Sequence, residues 1–387
     1  HLVQKIHEKG MRVILDGVFS HNGYDSKYFN ARGHYDSVGA YQSKESPYYD
    51  WYDFSHWPDQ YSSWWGIYTL PQVNEMNPKY LDYIIEGEDS VIRHWLKAGA
   101  SGWRLDVADE LPDAFIAKLN QAARETKADA LVVGEVWEDA SNKISYDVRR
   151  RYFQGGELDS VMNYPLRDGI MAFLTGSSAE DFTEKMECLR ENYPRAVFYN
   201  LMNIIGTHDT PRAITALGAG PGDWNASREF RAEHRLTGEA LVHAKRLLQI
   251  AAVIQFTMPG SPTIYYGDEA GQQGYEDPFN RRTYPWGQED TELLAFYRAL
   301  CGARDGSAAL VDGDLEFLET DGAVLLYQRT TPDERVLVAV NRGNESVHYA
   351  IGGADRLREL LTGEEYERED EELILALPAM SAQLFQM

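Results

Sequence analysis

Helical segments alternate with short apolar runs along most of the chain, and this alternation restricts the possible fold more than any other feature. The first helix-like stretch covers residues 2–9, stops at Gly10 and leads into the β-branched run 11–16. The same order recurs further along, with apolar runs at residues 102–106, 131–135, 160–162, 203–206 and 263–266. Strands that alternate with helices are typical of a parallel α/β protein. We therefore predict six parallel strands.

Two regions break this alternation. Residues 22–78 are long, aromatic and turn-rich, and they form an insertion after the first predicted strand. From about residue 305 the pattern changes to the period of two that antiparallel strands show, as in 324–328 and 336–340. We predict a catalytic α/β domain over residues 1–304 that includes the inserted domain, and an all-β domain over 305–387.

Composition excludes some classes of partner. The net charge of −24 would repel nucleic acid and anionic membranes, so a neutral ligand is favoured. No run of residues is long and apolar enough to span a membrane. Cys188 and Cys301 have the spacing of neither a disulfide framework nor a metal site, and we predict two buried free thiols in a reducing, cytoplasmic setting.

Polar residues follow the predicted strands at the points where the strands end. They are Asp16, His21, Arg104, Asp106, Glu135, His208 and Asp209. In a parallel barrel the carboxyl ends of the strands converge on one face and build the active site. A glycosidase needs one ionised carboxylate and one protonated carboxyl there. Arg104 precedes Asp106 by two residues, so both side chains face the same way and Arg104 favours the ionised carboxylate.

Each of these residues also has an ordinary structural interpretation. A single Asp after a strand is more often the N-cap of the next helix than a catalyst. The joint occurrence of such residues at successive strand ends favours an active site over isolated helix caps.

Five segments carry a resemblance to a known family. They are Asp-Gly-Val-Phe-Ser-His at 16–21, Gly-Trp-Arg-Leu-Asp-Val-Ala-Asp-Glu at 102–110, Gly-Glu-Val-Trp at 134–137, Gly-Thr-His-Asp at 206–209 and Gly-Ser-Pro-Thr-Ile-Tyr-Tyr-Gly-Asp-Glu at 260–269. In this order they resemble the conserved third-, fourth-, fifth-, seventh- and eighth-strand motifs of the alpha-amylase family of glycoside hydrolases. The resemblance implies an α/β fold, a (β/α)8 TIM barrel with strands 3 to 8 present and the first two missing. It also implies an inserted loop domain after strand 3 and a C-terminal antiparallel β-sandwich.

The resemblance assigns roles to these residues by position. Asp106 would be the nucleophile that forms a β-glucosyl-enzyme, and Glu135 would be the proton donor and then the base. Asp209 would hold the 2- and 3-hydroxyls of the sugar, with His208 and His21 at the same ring. Retaining chemistry predicts carboxyl groups about 5–5.5 Å apart for Asp106 and Glu135.

Further motifs point to one branch of that family. Trp64-Trp65-Gly66 with the following Leu-Pro-Gln-Val-Asn-Glu at 70–75 resembles the neopullulanase, cyclomaltodextrinase and maltogenic amylase branch. Those enzymes act on maltooligosaccharides, cyclodextrins and pullulan, so cleavage of α-1,4 bonds is expected, with α-1,6 bonds as an option. The further binding candidates are Asp16, Arg104, Trp65, Trp137, Asp277 and Arg281. A place in the core of the insertion is the alternative for Trp65, and a surface salt bridge is the alternative for Asp277 with Arg281.

The resemblance also bears on cofactors and partners. Ser20 stands where many family members have an Asn that binds calcium, and a hydroxyl is a poorer calcium ligand than an amide oxygen. We therefore predict no catalytic metal, with a structural calcium as the weaker alternative. The expected partner is an α-glucan, and a homodimer of the full-length form is one option for the oligomeric state.

The position of His1 within the family pattern leads to a hypothesis about stability. It falls in the helix before the third strand, so the chain is expected to be a fragment that is poorly stable and weakly active alone. Two other functions stay open: an α-glucan transglycosylase or a sucrose- or trehalose-acting relative, and an inactive fragment. A non-catalytic relative is disfavoured because Asp106, Glu135 and Asp209 are all retained.

Overall fold

The computed structural model describes residues 1–318, 320–352, 354–368 and 373–387. The chain divides into two compact units, residues 1–162 and 163–387, and each is described by itself. Within the described ranges, none of the helices combines the length and the apolar character needed to cross a membrane.

The first unit contains short helices and strands. Its α-helices are α1 (Leu2–His7), α2 (Pro78–Leu81), α3 (Val91–Lys97) and α4 (Asp113–Thr126). Its strands are β1 (Ile14–Gly17), β2 (Phe54–His56), β3 (Gln60–Tyr61), β4 (Gly102–Leu105), β5 (Leu131–Gly134), β6 (Ile144–Ser145), β7 (Val148–Arg149) and β8 (Ser160–Val161). Single turns of 3₁₀-helix lie at Tyr49–Trp51, Trp64–Gly66 and Ala108–Glu110, and a π-turn lies at Asp82–Glu86.

Strands β1, β4, β5 and β8 pair in that order, and all the pairs are parallel. The register places Asp16 opposite Arg104. The backbone N–H of Asp106 donates to Gly17 O at 3.0 Å, and that of Glu135 donates to Leu105 O at 2.9 Å. The pairing therefore brings the polar residues at the carboxyl ends of three strands to one edge of the sheet, as parallel strands require.

The inserted region has an aromatic core. Phe29 is fully buried and packs its ring against a group of aromatic neighbours, Tyr24, Tyr41, Tyr52, Phe54 and Tyr61. Trp51 is also buried, against Tyr28, Tyr48, Tyr80 and Tyr83. Burial of Phe29 and Trp51 among these rings therefore stabilises the insertion.

The second unit begins with helices and ends with strands. Its helices are α5 (Tyr164–Thr175), α6 (Ala179–Asn192), α7 (Arg195–Phe198), α8 (Ala213–Gly218), α9 (Pro221–Trp224), α10 (Arg228–Glu233), α11 (Gly238–Thr257), α12 (Thr291–Asp305) and α13 (Ala308–Asp312). Its strands are β9 (Met202–Asn203), β10 (Ser261–Pro262), β11 (Asp314–Phe317), β12 (Val324–Thr330), β13 (Arg335–Asn341), β14 (Val347–Ile351), β15 (Arg356–Glu359), β16 (Glu365–Glu367), β17 (Leu373–Leu377) and β18 (Ser381–Gln386).

The strands at the end of the chain are antiparallel. The order in the larger sheet is β11-β12-β13-β18-β15-β16, and β14 pairs with β17 in a separate ribbon. Alternate residues of β17 are buried, which is the period of two that the sequence shows. The buried side chains of the ribbon pack with Leu326, Leu337, Leu357 and Phe385 of the larger sheet. The predicted antiparallel β region is thus confirmed.

A parallel pair formed by β9 and β10 lies earlier in the same unit. A buried polar network supports it, because Gln255 Nε2 of α11 donates to Asn203 O at 3.0 Å and to Thr263 O at 2.8 Å. The prediction of a strand at 263–266 is wrong: β10 ends at Pro262. The chain beyond it turns so that the rings of Tyr265 and Tyr266 pack on the Arg212 guanidinium.

The two cysteines are not joined in a disulfide. Cys301 is only half-buried and Cys188 is exposed, so the prediction of two buried thiols is wrong. The place of Cys188 on the polar face of the amphipathic helix α6 explains its exposure, since the other face carries the buried Phe182, Met186 and Leu189.

Candidate active site

The strand ends of the first unit carry one arginine in contact with three carboxylates. Arg104 Nη1 donates to Asp16 Oδ1 at 2.7 Å and to Asp106 Oδ1 at 2.8 Å. Its Nη2 lies 2.8 Å from Glu135 Oε2. A single positive charge cannot compensate three negative charges, so the cluster favours a proton on one of the carboxyls.

Glu135 is the member of this cluster most suited to hold that proton. Its side chain is only 3% exposed. Burial raises the pKa of Glu135, and Asp106 raises it further, while Arg104 and the Val107 N–H lower it. A carboxyl group with a raised pKa beside an ionised carboxylate is the arrangement found in proton donors of glycosidases.

The backbone at Val107 helps to orient Glu135. Val107 has φ 39° and ψ 67°, in the left-handed region that a β-branched residue rarely adopts. In this conformation its N–H donates to Glu135 Oε2 at 2.8 Å, and the N–H of Ala108 donates to Glu135 O at 3.0 Å. Backbone strain of this kind costs about 1–3 kcal/mol and is typical of functional sites.

Trp137 also contacts the buried carboxyl group. Its Nε1 donates to Glu135 Oε1 at 3.0 Å. The sequence predicted sugar binding for Trp137 but not this hydrogen bond. The signal in the sequence was the spacing of Glu135 and Trp137. Two residues that are two positions apart in an extended chain have their side chains on the same side.

His21 lies close to the same cluster. Burial lowers its pKa, whereas the charges of Asp106 and Glu110 raise it. Its ring centroid is 4.9 Å from that of Trp64, and Nδ1 is 3.0 Å from Ser20 Oγ. His21 therefore lies within the electrostatic influence of Asp106.

Trp65 is not part of the core of the insertion, so that alternative is wrong for this residue. Its side chain is 70% exposed and stacks on Trp64 at 4.7 Å with an interplanar angle of 5°. Its Nε1 donates to Glu110 Oε1 at 3.0 Å.

The remaining predicted site residues lie in the second unit and contact one another there. Arg281 Nη2 lies 3.0 Å from Asp209 Oδ1 and 3.2 Å from Asp277 Oδ2. His208 Nε2 lies 3.1 Å from Asp209 Oδ2. The salt bridge between Asp277 and Arg281, which was the alternative to sugar binding, is present. Arg281 also forms an ion pair with Asp209.

A buried arginine supports this second group. Arg212 is fully buried; its Nε donates to Asn280 O at 2.8 Å, and its Nη1 donates to Asp268 Oδ1 at 3.1 Å. Asn280 Nδ2 in turn donates to His208 O at 2.7 Å. Asp268 lies in the motif at 260–269, but the sequence predicted no role for it or for Arg212 and Asn280.

The comparisons with known proteins agree with this geometry. Residues 1–309 match the family model described as the alpha amylase catalytic domain, and residues 315–383 match the maltogenic amylase C-terminal domain. The chain belongs to the alpha-amylase family. The family prediction is therefore confirmed, and with it a (β/α)8-barrel fold that carries a C-terminal antiparallel β-sheet domain.

Several members of the alpha-amylase family are similar to the chain. An amylopullulanase of Thermoanaerobacter thermohydrosulfuricus is 33% identical, over 98% of this chain and 28% of the relative. A cyclomaltodextrinase of Geobacillus thermopakistaniensis is 32% identical, over 97% of this chain and 59% of the relative. The solved type III pullulan hydrolase from Thermococcus kodakarensis matches with a TM-score of 0.82 and 27% identity, over 100% of this chain and 62% of that chain. The chain thus spans less than two thirds of the length of these relatives.

Ser20 stands at the position where many alpha-amylase family members have a calcium-binding Asn. Ser20 is fully buried, and its hydroxyl is engaged with the ring nitrogen of His21. Across the described residues, no group of three or more His, Cys, Asp or Glu side chains is arranged to hold a metal ion. A hydroxyl that is engaged elsewhere is a weak donor to calcium, which prefers several oxygen ligands at once.

Glu75 is a buried carboxyl group near this site. It is 8% exposed, and Oε1 has no hydrogen-bond partner among the described residues. Burial raises the pKa of Glu75 to about 7, with smaller contributions from Glu110 and Asp53. The folded protein therefore holds a proton on Glu75 that the unfolded chain, with a pKa near 4.5, releases at a lower pH.

We expect Glu75→Gln to stabilise the protein at alkaline pH. Ionisation of the buried Glu75 lowers the free energy of unfolding. This loss is absent below about pH 4.5, grows as the pH rises to about 7 and stays constant above that pH. At about 1.4 kcal/mol per pKa unit it amounts to about 3 kcal/mol. Thermal melts should show a gain in Tm for Glu75→Gln that grows from pH 5.5 to pH 8. Glu345→Gln, on an exposed side chain, is the control, and a gain independent of pH would contradict the assignment.

Proposed function

We propose that the protein is a retaining glycoside hydrolase that cleaves α-1,4-glucosidic bonds, and also α-1,6 bonds, in maltooligosaccharides, cyclodextrins or pullulan. The observation that carries this proposal is the contact of the Arg104 guanidinium with both Asp106 and Glu135. Membership of the alpha-amylase family and the similarity to cyclomaltodextrinases and pullulan hydrolases support it.

The first half of the reaction forms a covalent intermediate. An Asp106 carboxylate oxygen attacks C1 of the glucose from the β face while the bond from C1 to the leaving oxygen breaks. Glu135 gives its proton to that oxygen, so the leaving sugar departs as an alcohol. Arg104 stabilises Asp106 as the ionised nucleophile.

The second half returns the enzyme to its starting state. The Glu135 carboxylate takes a proton from water, the water oxygen attacks C1, and the bond from C1 to Asp106 breaks. Two inversions at C1 give net retention of the α configuration. Side chains and water carry every bond change, so we propose no catalytic metal, and we keep the prediction that the two carboxyls lie about 5–5.5 Å apart.

The group in the second unit is proposed to bind sugar. Asp209 and His208 are candidates for the hydroxyls of the reacting glucose, and Asp277 with Arg281 for the next glucose. The ion pairs among Asp209, Asp277 and Arg281 support this assignment, because they hold the polar groups in fixed positions.

We also propose how the chain maps on the family fold. In chain order, β1, β4, β5, β8, β9 and β10 correspond to the third to eighth strands of the barrel. The domain limits are proposed as 1–304, with the inserted domain at 22–78, and 305–387. The family matches at 1–309 and 315–383 support these limits.

Product analysis tests the proposed activity directly. The purified chain is incubated with β-cyclodextrin, maltohexaose, pullulan and sucrose, and fresh products are followed by proton NMR. Short oligosaccharides that first appear as α anomers are expected from the first three substrates. Initial β anomers would exclude retention, and turnover of sucrose alone would favour the transferase alternative.

We expect Trp137→Phe to shift the alkaline limb of the activity profile to higher pH. The Nε1–H of Trp137 stabilises the charged form of Glu135 and lowers its pKa, so its loss raises that pKa. The proton donor would then stay protonated at higher pH. The measurement is kcat/KM for maltohexaose between pH 5 and 9. Trp95→Phe, on an exposed residue of α3, is the matched control, and a shift to lower pH would contradict the role of this hydrogen bond.

A further inference from the structure

A buried arginine binds the turn that follows the nucleophile in the first unit. Arg150 comes directly after β7 and is 4% exposed. Its Nη1 donates to Asp109 O at 3.2 Å, and its Nη2 donates to Ala108 O at 3.4 Å and also to Leu111 O. Its Nε lies 2.8 Å from Asp113 Oδ1 at the start of α4. One guanidinium group thus holds three backbone carbonyls of the stretch between the nucleophile and α4.

The stretch that Arg150 binds begins next to a strained residue. Val107 has φ of 39°, and in this conformation its N–H donates to Glu135 Oε2 at 2.8 Å. A strained backbone persists only where the surrounding structure restrains it more strongly than the strain opposes it. A single turn of 3₁₀-helix has poor hydrogen-bond geometry, so contacts from outside the turn contribute to that restraint. Arg150 supplies charge-assisted hydrogen bonds, which are roughly twice as strong as neutral ones.

Other side chains from residues 143–152 contact the turn at Asp109. The hydroxyl of Tyr152 donates to Asp109 Oδ1 at 2.6 Å, and Lys143 Nζ lies 3.1 Å from Asp109 Oδ2. These two contacts fix one side chain. The planar fork of donors on Arg150 instead binds backbone carbonyls on both sides of Asp109. Arg150 therefore restrains the path of the backbone itself.

We propose that Arg150 is a positioning residue for the proton donor, because it holds residues 108–111 in the path that keeps the Val107 N–H on Glu135. The proposal rests on the proposed function, in which Glu135 protonates the leaving oxygen. A proton donor has to lie within hydrogen-bond reach of the atom that it protonates. A displacement of about 1 Å can reduce the rate about 10²-fold. Arg150 therefore acts on the reaction through the backbone of this turn and Glu135.

Two substrates separate this role from a general effect on the fold. The leaving oxygen of maltohexaose needs a proton, whereas fluoride leaves α-maltosyl fluoride without one. We expect Arg150→Met to lower the ratio of kcat/KM for maltohexaose to kcat/KM for the fluoride about tenfold, since a misplaced acid loses part of a contribution of about 10²–10⁴-fold. A smaller folded fraction lowers both values of kcat/KM equally and cancels in the ratio. An unchanged ratio would overturn the proposal.

The conservative variant and the control use the same pair of substrates. Arg150→Lys keeps the charge, but one ammonium group cannot reproduce the fork that binds three carbonyls, so its ratio should fall at least about threefold. Arg149→Met, on the exposed arginine that precedes Arg150, is expected to match the unmodified protein. If the ratio falls as far in Arg149→Met as in Arg150→Met, loss of positive charge on this hairpin is the cause and the proposal is wrong.

A second substitution tests the link between Arg150 and the strained residue. Glycine adopts the left-handed conformation without the steric cost that valine has. The double variant Arg150→Met with Val107→Gly therefore needs less restraint from outside the turn, and we expect its ratio to lie above that of Arg150→Met alone. A ratio equal to or below that of Arg150→Met would overturn the role of Arg150 in holding Val107.

Hydrogen exchange tests the same restraint without any substrate. The N–H groups of Val107 and Ala108 both donate to Glu135. In Arg150→Met, a peptide that contains them should exchange faster, relative to a peptide from α3, than in the unmodified protein. If the unmodified protein releases no fluoride from α-maltosyl fluoride, the proposed function is wrong, and exchange alone decides on Arg150. Equal relative exchange in the two proteins would then overturn the proposal.

Discussion

Replacing Asp106 with glycine is expected to reduce cleavage of maltohexaose by at least about 10⁴-fold, since the covalent intermediate can no longer form. The change also removes one of the carboxylates that Arg104 contacts. Asp106→Asn keeps the shape of the side chain and is the companion variant. Thermal melts of both variants show whether the loss of activity reflects chemistry or misfolding.

Added azide distinguishes the nucleophile from the proton donor. In Asp106→Gly, azide can attack α-maltosyl fluoride in place of the missing carboxylate, and this single inversion should give β-maltosyl azide. In Glu135→Ala the intermediate still forms on Asp106, and attack by azide on it should give α-maltosyl azide. The products are identified by NMR. If both variants give the same anomer, the two roles are assigned wrongly.

Glu135→Gln is expected to affect cleavage of α-maltosyl fluoride and of maltohexaose to different extents. Fluoride leaves without a proton, so formation of the intermediate from α-maltosyl fluoride should persist, whereas maltohexaose needs the acid. We expect the larger loss on maltohexaose. Equal losses on the two substrates would show that Glu135 supports the site without acting as a proton donor.

Arg212→Met is expected to destabilise the protein by about 3–5 kcal/mol, because it leaves the buried Asp268 without its charge partner. Arg212 Nη1 and Asp268 Oδ1 are 3.1 Å apart, and both side chains are almost completely buried. Burial raises the pKa of Asp268 to about 6 even beside Arg212, so the ionised form depends on this partner. The Tm should fall by about 6–20 °C.

Two further variants test the cause of this loss. Arg368→Met breaks an exposed ion pair with Asp355 and should change stability by less than about 1 kcal/mol. The double variant Arg212→Met with Asp268→Leu removes both charges and should recover part of the stability. If Arg212→Met is no worse than Arg368→Met, the buried pair does not stabilise the loops around His208 and Asn280.

The strand ends show how far sequence patterns reach. Strands β4 and β5 end at Leu105 and Gly134, directly before Asp106 and Glu135, as the apolar runs predict. The apolar run of a strand and the polar residue at its end are local features of the sequence, so both can be read directly. The strand predicted at 263–266 fails, because packing of two tyrosine rings on Arg212 is a long-range contact that local propensity does not report.

The aromatic insertion shows where such patterns stop. Trp51 and Trp65 lie in the same aromatic stretch, yet Trp51 is buried in the core and Trp65 is exposed and bonded to Glu110, 45 residues away. Composition predicts that aromatic residues will be buried or will bind ligands, but it does not say which residue does which. Only the arrangement of the neighbouring elements separates the two cases.

The sequence by itself determined which chemical groups are available and the order of the strands that carry them. Asp106, Glu135 and Asp209 each follow an apolar run, and their motifs identify the alpha-amylase family without any structure. The tertiary structure decided what each group contacts: Arg104 meets three carboxylates, Val107 takes a strained conformation to reach Glu135, and Glu110 holds two distant rings. The physical reason is that burial, pKa and strain depend on neighbours brought together by folding across long stretches of chain.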